Sequence, residues 1–123
     1  MVELLYKDVT EKVIGAAVEV YRELGYGFLE KVYQKALIHE LTLLGVKCKE
    51  EPLLPVMYKG AHIADYYGDL LIEDVVMVEL KAHRTYNAED EAQLLNELKA
   101  SGLKVGLLIN FGRDGVKFKR LVF

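Results

Sequence analysis

Residues 69–81 read DLLIEDVVMVELK. Two apolar runs, 70–72 and 75–78, have strand character and are separated by a tight turn at Glu73-Asp74. Asp69, Glu79 and Lys81 stand where a buried hairpin should carry no charge. Side chains alternate across a strand, so Glu79 and Lys81 share one face and Leu80 takes the other. A carboxylate and an ammonium on an apolar strand are costly to bury unless they are paired or bound to a metal.

Loop parity decides whether Asp69 joins them. A two-residue turn pairs Ile72 with Val75, sets Asp69 opposite Val78 and leaves Glu79 on the other face. A three-residue loop, 73–75, pairs Ile72 with Val76 and sets Asp69 directly opposite Glu79. Their Cβ atoms would then lie about 5 Å apart, close enough to share one divalent cation. Without a cation the two acids would repel and raise one another's pKa. An acidic pair beside Lys81 suggests a Mg²⁺ site. A structural ion cluster at the end of a sheet is the competing reading.

Upstream of the hairpin, residues 61–72 are expected as one long strand bent at Gly68. Before it, 46–51 and 56–58 form an edge or bulged strand interrupted by Pro52 and Pro55, with a turn at Lys59-Gly60. The chain opens on two amphipathic helices. Val9, Val13, Ala16, Ala17, Val20 and Leu24 line the first, which Gly25 and Gly27 end. The second runs from about 28 to 44, and Gly45 closes it. Downstream, Asn87 offers an N-cap, with Glu89, Asp90 and Glu91 in the first turn, where the helix dipole favours acids. That helix ends near Ser101-Gly102. Residues 105–111, VGLLINF, have the composition of a strand covered on both faces. Residues 116–123 alternate as a last, exposed strand. The order is α-α-β-β-β-α-β-β. A strand-helix-strand crossover makes one pair parallel, and short turns make the earlier pairs antiparallel. The expected class is α/β, a mixed sheet with helices packed on it.

The 123 residues suffice for one domain, 1–123, with a single core. Hydrophobic content of 52% against 28% charged excludes a disordered chain, and no apolar run is long enough for a bilayer. No leader pattern opens the sequence, and the single Cys48 suits a reducing compartment, so the expectation is a cytoplasmic protein. Cys48 reads as a small buried hydrophobe, because no neighbour is identifiable that would activate a thiolate. The net charge of -3 speaks against a protein that coats nucleic acid. Yet residues 104–123 carry five cations against Asp114 alone, a local +4 that leaves -7 elsewhere. Those cations either defend an exposed edge strand or contact phosphate. The apolar Val116, Phe118, Val122 and Phe123 make the same strand a candidate edge for a homodimer.

Glu30 on the second helix, then Asp69, then Glu79-Leu80-Lys81, then a helix with Gln93 is an order that resembles the PD-(D/E)xK nuclease superfamily. More closely, the chain resembles the small prokaryotic group named for its GxxExxY motif. That motif stands here as Gly27-Phe28-Leu29-Glu30-Lys31-Val32-Tyr33. The stretches DLLIEDVVMVELKA, AQLLNELKASGLKVGLLINFG and the terminal KRLVF also look like that group, so the likeness spans nearly the whole chain.

The resemblance implies a restriction-endonuclease-like core and a Mg²⁺-dependent phosphodiesterase, with Mn²⁺ able to substitute. The implied partner is nucleic acid, DNA ahead of RNA, and not a membrane. Asp69 and Glu79 would be metal ligands, joined by the backbone carbonyl of Leu80. Lys81 would position or help deprotonate the attacking water and stabilise charge on the phosphate. Glu30 would hold a metal-bound water or a second ion, and Gln93 would line the site. Tyr33 lies on the face of Glu30 and reads as a core aromatic with its hydroxyl at the rim. Related nucleases carry Gln-x-x-x-Tyr, but here Glu97 occupies the tyrosine position. A non-catalytic nucleic-acid-binding or protein-interaction module on the same fold is the alternative function. His39, His62 and His83 lack ligand spacing. His83 and Arg84 either touch phosphate or merely end a strand. Gly112-Arg113-Asp114-Gly115 is turn chemistry.

Overall fold

Val13, Ala16, Ala17 and Val20 recur three and four residues apart, and all are buried along helix α1, Lys7–Leu24. Gly25 caps it, donating its N–H to the Tyr21 carbonyl at 2.7 Å. The structure is a computed structural model describing residues 5–123. Residues 1–4, where the expected domain begins, lie outside the described residues. Helix α2, Glu30–Leu43, buries Tyr33, Leu37 and Leu41, and with them the polar Gln34. The strands that follow are β1 (Cys48–Glu50), β2 (Leu53–Tyr58), β3 (Ala61–Tyr67), β4 (Leu70–Ile72) and β5 (Val76–Lys81). Helix α3 (Asp90–Ser101) and strands β6 (Val105–Gly112) and β7 (Gly115–Val122) complete the chain.

Five strands form one sheet in the order β1-β4-β5-β6-β7. The two strands flanking α3, β5 and β6, run parallel, and the other neighbours in this sheet are antiparallel. Helices α1 and α2 cover one face through the cluster of Val13, Ala17, Leu37 and Leu41 with Val78, Leu107 and Ile109. Helix α3 covers the other, packing Leu94 and Leu98 on Met77 and Leu108. Strand β6 is buried at all eight positions, because both layers rest on it. Gly106 lets α3 approach: a Cβ there would meet the Leu94 side chain at 2.9 Å.

Two expected strands each prove to be two. The stretch 46–58 divides into β1 and β2, and 61–72 divides into β3 and β4. Strands β2 and β3 pair only with each other in a separate hairpin. The break on the first arm falls at Glu51, which takes a left-handed φ of 48°, and Pro52. On the second arm it falls at Gly68, whose N–H bonds the Pro52 carbonyl at 3.1 Å. A Cβ at Gly68 would lie 2.6 Å from Met77 Sδ, so the chain changes sheets at a residue where any side chain would force the buried Met77 to move. Asn87 starts a turn more than it caps the helix: its Oδ1 accepts the Glu89 N–H at 2.9 Å, and α3 begins at Asp90. Among the described residues, no helix is long and apolar enough to cross a membrane.

Tyr33 ties the helical layer to the sheet. It is fully buried, stacks on Phe111 with centroids 4.3 Å apart, and donates its hydroxyl to the Gly25 carbonyl at 2.5 Å. The Phe28 N–H donates to the Tyr33 hydroxyl oxygen at 3.4 Å. Tyr33→Phe should cost about 1 kcal/mol, the usual net value of one hydrogen bond, and Tyr33→Ala about 3–5 kcal/mol. Denaturant melts of the two variants check the ranking. Equal losses would show that the hydroxyl, not the ring, holds the α1–α2 corner.

Candidate metal centre

Everything at this site follows from the β4–β5 register. Ile72 pairs with Val76 and Leu70 with Val78, so the connection is the three-residue loop 73–75. One step beyond Leu70, Asp69 lies opposite Glu79. Its Oδ2 accepts the Leu80 N–H at 2.7 Å, which confirms the placement. The odd loop is built without glycine: Glu73 and Asp74 hold left-handed φ values of 52° and 61°. Lys47 offsets that strain by donating its backbone N–H to Glu73 Oε1 at 2.9 Å and its ammonium to Asp74 at 2.7 Å.

Glu79 is 3% exposed and faces α3. Gln93 Nε2 donates to Glu79 Oε2 and, at 3.3 Å, to Glu97 Oε2. Gln93 Oε1 in turn accepts from Lys81 Nζ at 2.8 Å, and that ammonium lies 3.9 Å from Glu79 Oε2. One amide thus connects the base, the acid and the buried Glu97. From α2, Glu30 and Gln34 line a cleft of about 230 Å³ together with Lys31, Glu51, Asp69 and Leu80. Gln34 Nε2 donates to the Asp69 carbonyl at 3.0 Å, and Glu51 N–H donates to the same oxygen at 2.9 Å. Asp69 is therefore fixed through its backbone from two elements and through its side chain from a third.

The electrostatics are those of acids crowded out of water. Burial, then Asp69 and then Glu97 push Glu79 up to about 10. Burial pushes Glu97 up to about 7. Asp69 and Glu30 are also raised, in each case mainly by burial, and Lys81 pulls both the other way. Glu79 Oε1 and Glu97 Oε1 are buried without a hydrogen-bond partner. An orphaned carboxylate oxygen beside a second carboxylate is what a hard cation would satisfy, and an all-oxygen donor set suits Mg²⁺ or Mn²⁺ better than Zn²⁺. Among the described residues no three His, Cys, Asp or Glu side chains are grouped to hold a metal by themselves. An ion at Asp69 and Glu79 would complete its shell with backbone oxygen and water, as Mg²⁺ commonly does.

Asp69, Glu79, Leu80, Lys81 and Gln93 are brought together, and Glu30 borders them at the first residue of α2. Sequence reasoning missed Gln34, whose signal was a polar residue among the buried stripe Tyr33, Leu37 and Leu41. It missed Tyr66 of β3 as well. Burial raises that phenol, then Glu97 and Glu79, and Gln93 pulls it the other way. It also missed Asn110, the polar residue inside VGLLINF, whose amide clamps His83 N–H at 2.9 Å and His83 carbonyl at 3.0 Å just beyond Lys81. The histidines take no part as a cluster: His62 pairs with Asp65, His83 with Asp90, and His39 is exposed. Burial raises the Cys48 thiol, as expected for a packing residue.

Between 4.5, the ordinary Glu79 value, and about 10, the native protein holds a proton that the unfolded chain has lost. By linkage, stability of the metal-free protein falls as pH rises through that window, and Glu97 adds the same sign up to about 7. Melting temperature in EDTA should decline steadily from pH 5 to pH 9, and Glu79→Gln should flatten the decline. A wild-type profile that rises over this range would contradict the assigned environment.

The PD-(D/E)XK nuclease superfamily profile matches residues 7–121. No curated protein matches the chain. Solved structures with this fold include the crystal structure of SSO0001, at a TM-score of 0.59 and 15% identity. The likeness covers 76% of this chain and 50% of that one, so this chain spans about half the length of its structural neighbour. It places the mixed five-stranded sheet and its flanking helices in the restriction-endonuclease-like fold. With its profile matched from α1 to the end of β7, the chain belongs to the PD-(D/E)XK nuclease superfamily.

Proposed function

We propose that this protein is a metal-dependent phosphodiesterase that hydrolyses nucleic acid, DNA in preference to RNA, acting as one domain of the GxxExxY group. The observation that carries the reading is the Asp69–Glu79 pair: two facing acids, one with a buried, unpartnered oxygen, beside a lysine held in place by Gln93. A cation would satisfy that oxygen, which no N–H among the described residues reaches. Asp69, Glu79 and the Leu80 carbonyl would hold Mg²⁺, for which Mn²⁺ can substitute, and Glu30 would hold an outer water or a second ion. When bound, the cation lowers the pKa of water and offsets charge on the phosphate. Lys81 Nζ, restrained by Gln93 Oε1, orients the attacking water and stabilises charge as it develops on the phosphate oxygens. Gln93 positions Lys81 and Glu79 relative to one another. The exposed Phe118 and Val122 of edge strand β7, with Phe123 just beyond it, would accept a second copy.

A cleavage panel tests the reading: single-stranded, duplex and branched DNA and RNA, each with Mg²⁺, Mn²⁺ or EDTA. Lys81→Ala should lose at least 100-fold in rate while keeping or improving cation affinity by calorimetry, because it removes a like charge beside the ion. Asp69→Asn should lose both. If Lys81→Ala instead lowers the melting temperature sharply and wild type cuts nothing in the panel, Lys81 is neutralising a structural cluster and the alternative, a non-catalytic binding module, holds.

A further inference from the structure

A second cleft lies on the α3 side of the sheet, past the end of β5. It encloses about 620 Å³ between β7 and the segment that follows Lys81, and Arg84, Lys117 and Lys119 line it. None of the three makes an ion pair among the described residues. Two acids also line the cleft, Glu91, which accepts the Tyr86 hydroxyl at 2.8 Å, and Asp114, 4.0 Å from Arg113, so the lining carries three cations against two acids. A net positive lining, with three cations that make no ion pair among the described residues, suits an anionic occupant in a chain of net charge -3.

The register places that occupant relative to the acids. Lys81 pairs with Asn110, and Asn110 with Lys117; Glu79 pairs with Leu108, and Leu108 with Lys119. Each lysine therefore sits two strands from a candidate site residue, in the same row and on the same face. Two strand spacings amount to about 10 Å, or roughly three base steps at ~3.4 Å along one strand. The wall carrying Arg84 is fixed: Asn110 clamps His83 from both sides, and the Arg84 carbonyl accepts the Arg113 N–H at 2.9 Å.

We infer that this cleft is a phosphate channel. Arg84, Lys117 and Lys119 grip the phosphodiester backbone of the substrate about three nucleotides from the bond to be cut. The inference rests on the reading of the protein as a nucleic-acid hydrolase and adds the path the substrate strand takes. It selects the phosphate-contacting explanation of the basic terminal segment over that of a merely defended edge.

The test is binding of a fluorescein-labelled 20-base-pair DNA duplex in EDTA, measured from 50 to 300 mM salt. Each phosphate contact contributes about 0.9 to the slope of log K against log salt. The variant Arg84→Gln/Lys117→Gln/Lys119→Gln should shallow the slope by about 2–3 and weaken binding at 50 mM at least tenfold. A charge-matched control, Lys7→Gln/Lys12→Gln/Lys49→Gln, should keep the wild-type slope. Equal slopes for wild type and the cleft variant, or equal losses in the cleft and control variants, would overturn the channel. Binding is read without metal, so the two ideas fail separately. A wild type that never cuts but whose cleft variant loses its slope keeps the channel and removes the hydrolase. A wild type that cuts while the slope stays unchanged does the opposite.

Discussion

The site depends on one pairing, Ile72 with Val76. Because side chains alternate along a strand, a shift of one residue in that register would turn every side chain of β4 to the other face relative to β5. Asp69 would then face the α1–α2 layer while Glu79 stayed under α3. The loop that fixes the register carries no glycine, and it spends backbone strain at Glu73 and Asp74. Lys47, just before β1, holds both residues and so ties the edge strand to the hairpin. The apolar pattern enforces the same register from below: Leu70 and Ile72 are fully buried, and a slip would drive them out of the core.

A second constraint is the cost of keeping acids dry. Glu79 and Glu97 are both nearly inaccessible, and their partners are few: one amide, one ammonium and each other. The packing that makes them costly is the packing that makes α3 stable, since Leu94 and Leu98 must sit on Met77 and Leu108 to complete that layer. The helix therefore delivers Gln93 and Glu97 to the acids as a by-product of burying its own leucines. At Gln93 the delivery links Lys81 to Glu79. At Glu97 it adds a carboxylate to an already acidic pocket, where a tyrosine would have brought a neutral hydroxyl. Tyr66, reaching toward Gln93 from the separate β2–β3 hairpin, supplies a phenol to the same region by another route.

Much of this was legible in the sequence, for reasons that differ by residue. The first two helices announced themselves by apolar spacing, the third by its cap and first-turn acids, and β6 by an apolar run too rich for a one-sided strand. The Asp69–Glu79 pairing was legible only to a binary choice, because Glu73-Asp74 closes a two-residue turn as readily as it begins a three-residue loop. The division of 61–72 was not legible. Only a bend at Gly68 was expected, and the contact that crowds a Cβ there comes from Met77, nine residues on and across the sheet. Gln34, Tyr66 and Asn110 escaped notice because a polar residue declares its role only through its partner, and the partners of these three are distant in sequence.

The charge pattern is the last feature that sequence and structure explain together. The +4 of residues 104–123 and the -7 of the rest are properties of chain segments, and a segment need not form one surface. Parallel pairing of β5 and β6 followed by the tight Gly112–Gly115 turn converts them into geometry. It lays β7 beside β6 so that Lys117 and Lys119 share a face with Glu79 and Lys81. At roughly 10 Å the lysines are too far to neutralise the acids directly, since exposed charges at that range are largely screened at physiological salt. They are near enough to favour a polyanion that spans the gap. Held two strands away, the lysines would leave the acidic pair free for a metal ion while drawing phosphate toward it, and the sheet's own spacing would keep the two proposed roles apart.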